Sequence, residues 1–295
     1  MFYKNALFYS LTQSLTIDND VLEHDLRVHG AREPGAQEFS TLGFVPVIPD
    51  TEMHHLVTGD WVTMKLCREE RILPASVVND AVAKRIKEIE AETGDYVSKK
   101  RQADIKESVM NQMLPTSHTK KTYIVGAINA KQNLVVVDGT HSKAESWLAM
   151  VRKAINSLPV VPLFRISLQD ALTHWLKDTP DSIELLEEAK LRSTDDLGTI
   201  TSFKSQPLDA EAVTVTVDNG SLVQEIGIQF ADNFTAVFCE DGSVKRLRFS
   251  DRLKEESDDI PKDQVKARID ADTLLNLSAL DEFATFCKGH FNLNE

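Results

Sequence analysis

The chain has 295 residues, with 46 acidic against 33 basic side chains and a formal net charge of −13. Hydrophobic residues make up 42% of it and charged residues 27%, which is ordinary for a globular protein with a sizeable core. No apolar run reaches membrane-spanning length, and three widely spaced cysteines exclude a disulfide-rich scaffold. Because no signal-peptide pattern is recognisable either, we expect a cytoplasmic protein.

The first half of the chain mixes predicted strands and helices. Strands are predicted at 1–10, 43–47, 61–67, 122–128 and 133–138, the last two as a hairpin. Helices are predicted at 21–29, from about Ser76 as N-cap to Gly94, and in a basic stretch up to Met113. Leu114-Pro115 ends this stretch, because a residue before proline is driven out of the helical conformation.

In the second half, hairpins become the main predicted motif. Ser142 to Glu145 reads as a helix capping box, and two prolines make 157–163 extended. Further helices are predicted from Ser167, over 182–190 and over 272–287, and strands at 213–217, 221–230, 234–239 and 244–249. A type I′ turn at 218–220 would join the first two of these strands. Strands in hairpins predict an α+β fold with antiparallel sheets.

Charge is segregated along this acidic chain. Residues 96–131 hold seven basic side chains against two acids, whereas 181–225 holds ten acids against three basic side chains. Such segregation is typical of a protein with one surface for a polyanion and another that repels it. Chance clustering on a solvated surface is the alternative.

The most basic strand follows the turn Glu240-Asp241-Gly242. Five basic residues lie between Val244 and Lys254, against one acid. Successive strand side chains point to opposite faces. Strict alternation predicts one face with Val244, Arg246 and Arg248, and another with Lys245, Leu247 and Phe249.

Motifs for small-molecule catalysis are absent from the sequence. Gly139 to Lys143 is the nearest match to a phosphate-binding loop, but it lacks the Gly-Lys-Ser/Thr core. Neither a dinucleotide fingerprint nor a Gly-x-Ser-x-Gly elbow occurs. His54 and His55 are neighbours whose side chains we expect to point apart, so we predict no metal site and no cofactor there.

Two short patterns have the composition of a metal-dependent nuclease, in which carboxylates and a lysine hold Mg²⁺ and water against a phosphodiester. The first is Asp181 with Glu188 and Lys190, and the second is Asp104 with Lys106. The first pattern also fits a plain amphipathic helix with acids and lysine on its surface. Catalysis is therefore the minor hypothesis.

Several stretches together resemble one family, the recombination-associated protein RdgC. The principal ones are 69–78, 157–163 and 241–249, supported by 2–5, 43–46 and 268–272. Their order and spacing match nearly from end to end, so the resemblance covers a single chain of residues 1–295. It implies sub-regions at 1–95 with 133–180 (central part), 96–132 (basic finger or tip) and 181–295 (C-terminal hairpins and helix).

The resemblance implies a double-stranded DNA-binding protein without sequence preference, associated with the nucleoid. Family members form an elongated subunit and a homodimeric ring whose basic hole encircles DNA, and they restrain RecA-promoted strand exchange by occupying that DNA. A different possibility is a protein that binds recombinase directly, with incidental DNA contact, through the acidic segment 181–225.

Residues implied to contact DNA share a basic side chain at positions where the family is also basic. They are Arg68, Arg71, Lys99, Lys100, Arg101, Lys120, Lys121, Arg152, Lys153, Lys245, Arg246 and Arg248. The implied dimer contacts are Thr116 and His118 at one junction and Lys204 and Gln206 at the other. Thr116 and His118 stand where the family has an arginine and an aromatic residue, so one contact of ring closure is changed here.

Overall fold

A computed structural model of the chain describes residues 3–195, 197–256, 260–261 and 263–293. The chain forms two compact units, one of Met1–Leu26, Pro46–Lys65 and Ile124–Glu295, the other of Arg27–Val45 and Leu66–Tyr123. We refer to them as the first and the second unit. The predicted N-terminal strand is shorter than expected and begins at Leu7, and the positions of Met1 and Phe2 lie outside the described residues.

One sheet has seven strands in the order β2-β4-β5-β6-β1-β7, with β3 paired to β4. Its strands are β1 Leu7–Leu11, β2 Ser40–Val45, β3 His55–Thr58, β4 Trp61–Arg71, β5 Thr119–Asn129, β6 Leu134–Asp138 and β7 Val160–Pro162. The predicted hairpin of β5 and β6 is confirmed, with Gly126 opposite Val137 in an antiparallel pair. The pairs β1–β6, β1–β7 and β3–β4 are antiparallel as well.

The other sheet has five strands in the order β12-β11-β10-β8-β9, and all its pairs are antiparallel. Its strands are β8 Ile183–Ser193, β9 Ile200–Lys204, β10 Ser221–Phe230, β11 Phe234–Cys239 and β12 Val244–Phe249. The whole sheet belongs to the first unit. The predicted α+β class with antiparallel sheets is therefore confirmed.

The described residues also form eight helices. They are α1 Asn19–Val28, α2 Ala75–Thr93, α3 Lys99–Met113, α4 His141–Ala154, α5 Gln169–Trp175, α6 Glu211–Asp218, α7 Asp251–Glu255 and α8 Val265–His290. A 3₁₀ turn at Leu114–Thr116 follows α3, where proline ends the helix as predicted. None of the described helices is both long enough and apolar enough to cross a membrane.

Two predicted elements were assigned the wrong type. Residues 182–190 were expected to form a helix, but they lie in β8. Residues 213–217 were expected to form a strand, but they lie in α6. The reason is the pairing of β10, which already has β8 on one side and β11 on the other, so no edge is left for a hairpin partner. The expected type I′ turn is also wrong, because Asn219 has a φ of −78°.

Two predicted helix caps were also wrong. Pro74, not Ser76, precedes the first residue of α2, and no side chain caps that end. Thr140 precedes α4, so Ser142 lies inside its first turn and the expected capping box does not form. In both cases the helix begins one or two residues earlier than the capping pattern indicated.

Each unit has its own apolar core. In the first unit, aromatic rings from both sheets meet α5 and α8, with Phe283 centred 6.1 Å from Phe8 and 5.3 Å from Phe238. In the second unit, α2 and α3 pack through Ile89, Ile105 and Val109. Each of these helices buries one apolar stripe, although the sequence indicated only a polar, basic helix for α3.

Candidate nucleic-acid interface

The basic side chains of β12 all lie on the solvent side of the five-stranded sheet. The apolar side chains Val244, Leu247 and Phe249 are buried, whereas Lys245, Arg246 and Arg248 are exposed. The prediction that Val244 shares a face with both arginines is therefore wrong. In the structure, basic and apolar side chains of β12 are fully separated between the two faces, whereas strict alternation would mix them on both faces.

A β-bulge causes this separation. Arg246 and Leu247 together stand opposite the single residue Ala236, because the flanking pairs are Lys245 with Val237 and Arg248 with Thr235. Arg246 has a φ of +55°, in the left-handed region that residues other than glycine seldom occupy. The extra residue shifts the alternation by one, so Leu247 turns into the core and both neighbouring arginines stay in solvent.

Carboxylates on β10 and β8, which lie two and three strands away from β12 in the sheet, contact these cations. Arg246 Nη2 lies 2.7 Å from Glu188 Oε2 on β8. Glu225 Oε1 on β10 lies 3.1 Å from Lys245 Nζ and 3.9 Å from Lys190 Nζ. All of these side chains are partly exposed, so each ion pair is screened by water.

The charged side chains line a groove of about 400 Å³ on the sheet. We call it the cation groove; its basic residues are Lys190, Lys204, Lys245 and Arg246. Two carboxylates, Glu188 and Glu225, also line it, so the groove keeps a net positive charge. Gly227 lies in its floor, where a Cβ would approach Glu188 Cγ to 2.6 Å, so a side chain here would displace that glutamate.

Lys245 keeps its charge in this setting. Burial by itself lowers the pKa of Lys245, but interactions with Cys239 and Glu225 outweigh it and raise the pKa above the ordinary value. The Cys239 thiol itself is buried, and burial raises its pKa. At neutral pH the groove therefore presents Lys245 as a cation.

A second group of cations starts α3 in the second unit. Lys99, Lys100 and Arg101 follow the N-cap Ser98 and are fully on the surface. None of these three forms an ion pair with another described residue. Cations at a helix N-terminus are unfavourably placed, because the helix dipole is positive there.

The other basic residues predicted to contact DNA in the second unit differ in how many contacts they make within the protein. Arg71 donates to three backbone carbonyls, those of Pro34 at 3.0 Å, Gly35 at 3.2 Å and Ser117 at 3.3 Å. It thereby holds two loops together. Lys121 Nζ lies 3.5 Å from Glu69, Lys120 is exposed beside it, and Arg68 is half-buried within β4.

The remaining predicted site residues lie at element ends. Arg152 and Lys153 are exposed in the last turn of α4, the end that favours cations. Lys204 ends β9, an edge strand of its sheet, and Gln206 follows closely. Thr116 and His118 are both exposed beside the 3₁₀ turn of the second unit. Within the described part of the chain, the cation groove thus gathers Lys245 and Arg246 of β12 with Lys190 and Lys204, whereas Arg248 lines a separate cavity.

The carboxylates of the nuclease hypothesis are not gathered. Asp181 precedes β8 and Glu188 lies five residues beyond its start at Ile183, which corresponds to more than about 16 Å of extended chain. One metal ion cannot bridge that separation. Glu188 and Lys190 do share a sheet face, but each contacts an opposite charge there.

His54 and His55 were expected to point apart, and this is wrong. Both rings turn to Glu23, with Nδ1 of His54 3.1 Å from Oε1 and Nδ1 of His55 2.8 Å from Oε2. A carboxylate thus holds the pair in place. Within the described ranges, no three His, Cys, Asp or Glu side chains are grouped to hold a metal ion.

Sequence reasoning missed Glu225, and it named Glu188 and Lys190 only as nuclease candidates and Lys204 only as a dimer contact. Glu225, Glu188, Lys190 and Lys204 come from strands, and one of these strands was predicted to be a helix. The alternation of Glu188, Lys190 and Arg192 with Ala189 and Leu191 was the signal that could have found them, because it fits a half-buried strand.

Known proteins match this chain along nearly its whole length. A family model described as "Putative exonuclease, RdgC" matches residues 1–291. The "Recombination-associated protein RdgC" of Pseudoalteromonas atlantica is 41% identical over 300 residues, covering 100% of this chain and 99% of the relative. Proteins of the same name from Actinobacillus succinogenes and Proteus mirabilis are each 32% identical, covering 95% and 96% of both chains, respectively. Matches of this extent and identity show that the chain belongs to the RdgC family.

Proposed function

We propose that this protein binds double-stranded DNA without sequence preference and acts in recombination. The observation that carries the proposal is the bulge of β12, which exposes Lys245, Arg246 and Arg248 together on a chain of net charge −13. A locally basic sheet face on an acidic protein suits a polyanion. The relatives' name, "Recombination-associated protein RdgC", supports the recombination role.

Binding of this kind works through phosphates. Lysine and arginine neutralise backbone phosphates and release condensed counterions, so affinity falls linearly with salt on a logarithmic scale. Side chains on a sheet face that contact only phosphates position the protein but carry no sequence information. Weak sequence preference and strong salt dependence are the expected signature.

The protein would act as a non-catalytic homodimer that closes into a ring around the duplex. Lys204 and Gln206 at the end of edge strand β9, and Thr116 and His118 at the exposed turn after α3, are the proposed junctions. A ring on nucleoid DNA would deny that DNA to RecA and so restrain strand exchange. Separation of Asp181 from Glu188 supports the non-catalytic part of the proposal.

A salt series with an end-labelled random duplex tests the central step. Replacing both β12 arginines (R246A/R248A) should weaken binding about equally on all sequences and flatten the logarithmic salt slope by about two. The control is Arg32→Ala, since Arg32 is already committed to Glu38 at 2.5 Å. Unchanged affinity in the folded double variant, or equal loss in the control, would refute the assignment.

The same reactions, run with Mg²⁺, test the non-catalytic part separately. We expect the label to stay at full length while the band shifts. Shortened label that depends on Mg²⁺ would overturn this part and return attention to the carboxylates of the cation groove.

A further inference from the structure

We infer that Glu188 and Glu225 act as internal substitutes for DNA phosphates, occupying the cations of the cation groove until a duplex displaces them. The inference rests on the proposed function, since it concerns how the same sheet face binds and releases DNA. It assigns to these two acids a role in setting affinity, in addition to their contacts within the fold.

The contacts have the geometry that such a substitution requires. Each carboxylate oxygen lies where a phosphate oxygen would lie, 2.7 Å from Arg246 Nη2 and 3.1 Å from Lys245 Nζ. A guanidinium has five N–H donors and an ammonium has three. Among the described residues, Arg246 donates only one side-chain hydrogen bond, to Glu188, so an incoming phosphate finds donors already oriented.

The two acids lie on the same sheet face in neighbouring strands. Glu225 pairs with Lys190 across β10 and β8, and Glu188 lies two residues before Lys190. Diagonal neighbours of this kind are about 7–8 Å apart, which sets two negative charges in a row along the groove. Gly227, between them in the floor, keeps the row accessible because a side chain there would collide with Glu188.

Partial exposure makes the substitution reversible. The side chains of Arg246 and Glu188 are 60% and 29% exposed, so water screens the pair and it is weak. A phosphate can therefore displace the carboxylate. The displaced carboxylate stays close and repels the phosphate, which lowers affinity and speeds release.

Charge-neutral variants of similar shape test the inference. The double variant E188Q/E225Q should bind the random duplex about three- to tenfold more tightly at low salt, as expected from freeing weak exposed pairs. Its logarithmic salt slope should be steeper by about one to two, because freed cations make additional phosphate contacts. Faster dissociation of the natural protein should account for most of the difference.

Glu184→Gln is the matched control. Glu184 lies on the same strand and the same face, opposite Gln229, but it forms no ion pair among the described residues. Its removal lessens general repulsion without freeing a cation, so affinity should rise little and the salt slope should not change. Circular dichroism and the single variants E188Q and E225Q show whether an altered affinity reflects folding.

Each outcome is decisive. A logarithmic gain in E188Q/E225Q no larger than twice that in E184Q, which removes one charge instead of two, or no gain in the double variant of a protein that binds DNA, would overturn the inference and leave the proposed function intact. Failure of the natural protein and all variants to bind any duplex, even at low salt, would overturn the proposed function itself.

Discussion

Two basic regions of this molecule are chemically similar but differ in how far carboxylates balance their charge. On the sheet face of the first unit, Lys245 and Arg246 contact carboxylates on β10 and β8. At the start of α3 in the second unit, Lys99 to Arg101 have no acidic partner among the described residues and sit at the unfavourable end of a helix dipole. The first region is partly neutralised, whereas the second keeps its full charge.

This difference indicates how much each region would contribute to the affinity for a polyanion. A cation that must first break an ion pair with a carboxylate contributes less to the free energy of binding a polyanion than a cation that is only hydrated. The α3 cations should therefore contribute more affinity per residue, and the sheet cations should be more exchangeable. The α3 cations also lower the stability of α3, because they lie at the positive end of its dipole without an acidic partner among the described residues.

The turn that presents the sheet region is the place where a single change should have the largest effect. Gly242 has a φ of +76°, and a Cβ there would lie 2.0 Å from the ring of Phe164. Gly242→Val should lower the free energy of unfolding by at least about 3 kcal/mol, combining overpacking with a disfavoured backbone conformation. Urea denaturation measures the change.

Gly94 in the second unit is the matched control for this prediction. It ends α2 with a φ of +72°, but a Cβ at this position would meet nothing within 4 Å. Gly94→Ala should therefore cost only the backbone term, about 1 kcal/mol. Similar losses in both variants would contradict the close packing of Gly242 against Phe164.

Much of the fold could be predicted from local patterns, because those patterns agree with the tertiary structure. The β11–β12 hairpin and α8 follow this rule. Residues 183–193 do not, since Glu-Leu-Leu-Glu-Glu-Ala-Lys-Leu is a strong helix-forming sequence that becomes a strand with partners on both sides, β10 and β9. Burial between two strands outweighed helix propensity here.

The candidate site was harder to predict than the fold. Its cations could be selected from the sequence, but the bulge at Arg246 depends on the register between β11 and β12, which no local pattern encodes. The acids Glu188 and Glu225 could not be paired with them without the strand order. The pairing of strands that are distant in sequence therefore determines which basic side chains are exposed and which acids contact them.

The next largest change in stability should come from removing the cations at the N-terminal end of α3. Replacing the α3 cations by alanine (K99A/K100A/R101A) should stabilise the second unit by about 0.3–1 kcal/mol per charge at low salt, because the helix dipole opposes them. The same variant should bind DNA more weakly. Thermal unfolding and the salt-dependent gel shift measure the two effects.

The double variant R152A/K153A, at the C-terminal end of α4, is the control of opposite sign. Arg152 and Lys153 lie in the last turn, where the dipole favours cations, so their loss should lower stability slightly. Alanine improves helix propensity in both variants, so a stability change of the same sign in both would show that propensity, not the dipole, dominates.

The smallest expected effect concerns an ion pair that contrasts with that of Arg246. Arg32 contacts Glu38 through both guanidinium ends, at 2.5 and 2.6 Å, and the backbone N–H of Gly35 adds a third donor. The hydrogen bond from Arg32, followed by that from Gly35, lowers the pKa of Glu38 from 4.5 to about 2. A depressed carboxyl pKa stabilises the fold above pH 4.5, and this contribution is lost as the pH falls through about 2.

An NMR titration of the Glu38 carboxyl carbon checks this contrast directly. We expect its midpoint near pH 2 in the natural protein and at a clearly higher pH in Arg32→Ala, where only the Gly35 hydrogen bond still lowers the pKa, with DNA affinity unchanged by that substitution. Arg32 donates to both oxygens of one carboxylate, whereas Arg246 donates once to Glu188, which is why Arg246 is the more open of the two to a phosphate. A Glu38 midpoint near the ordinary carboxyl value in the natural protein would mean that the ion pair between Arg32 and Glu38 does not form in solution. Arg32→Ala would then no longer serve as a control in which the arginine is already occupied by a carboxylate.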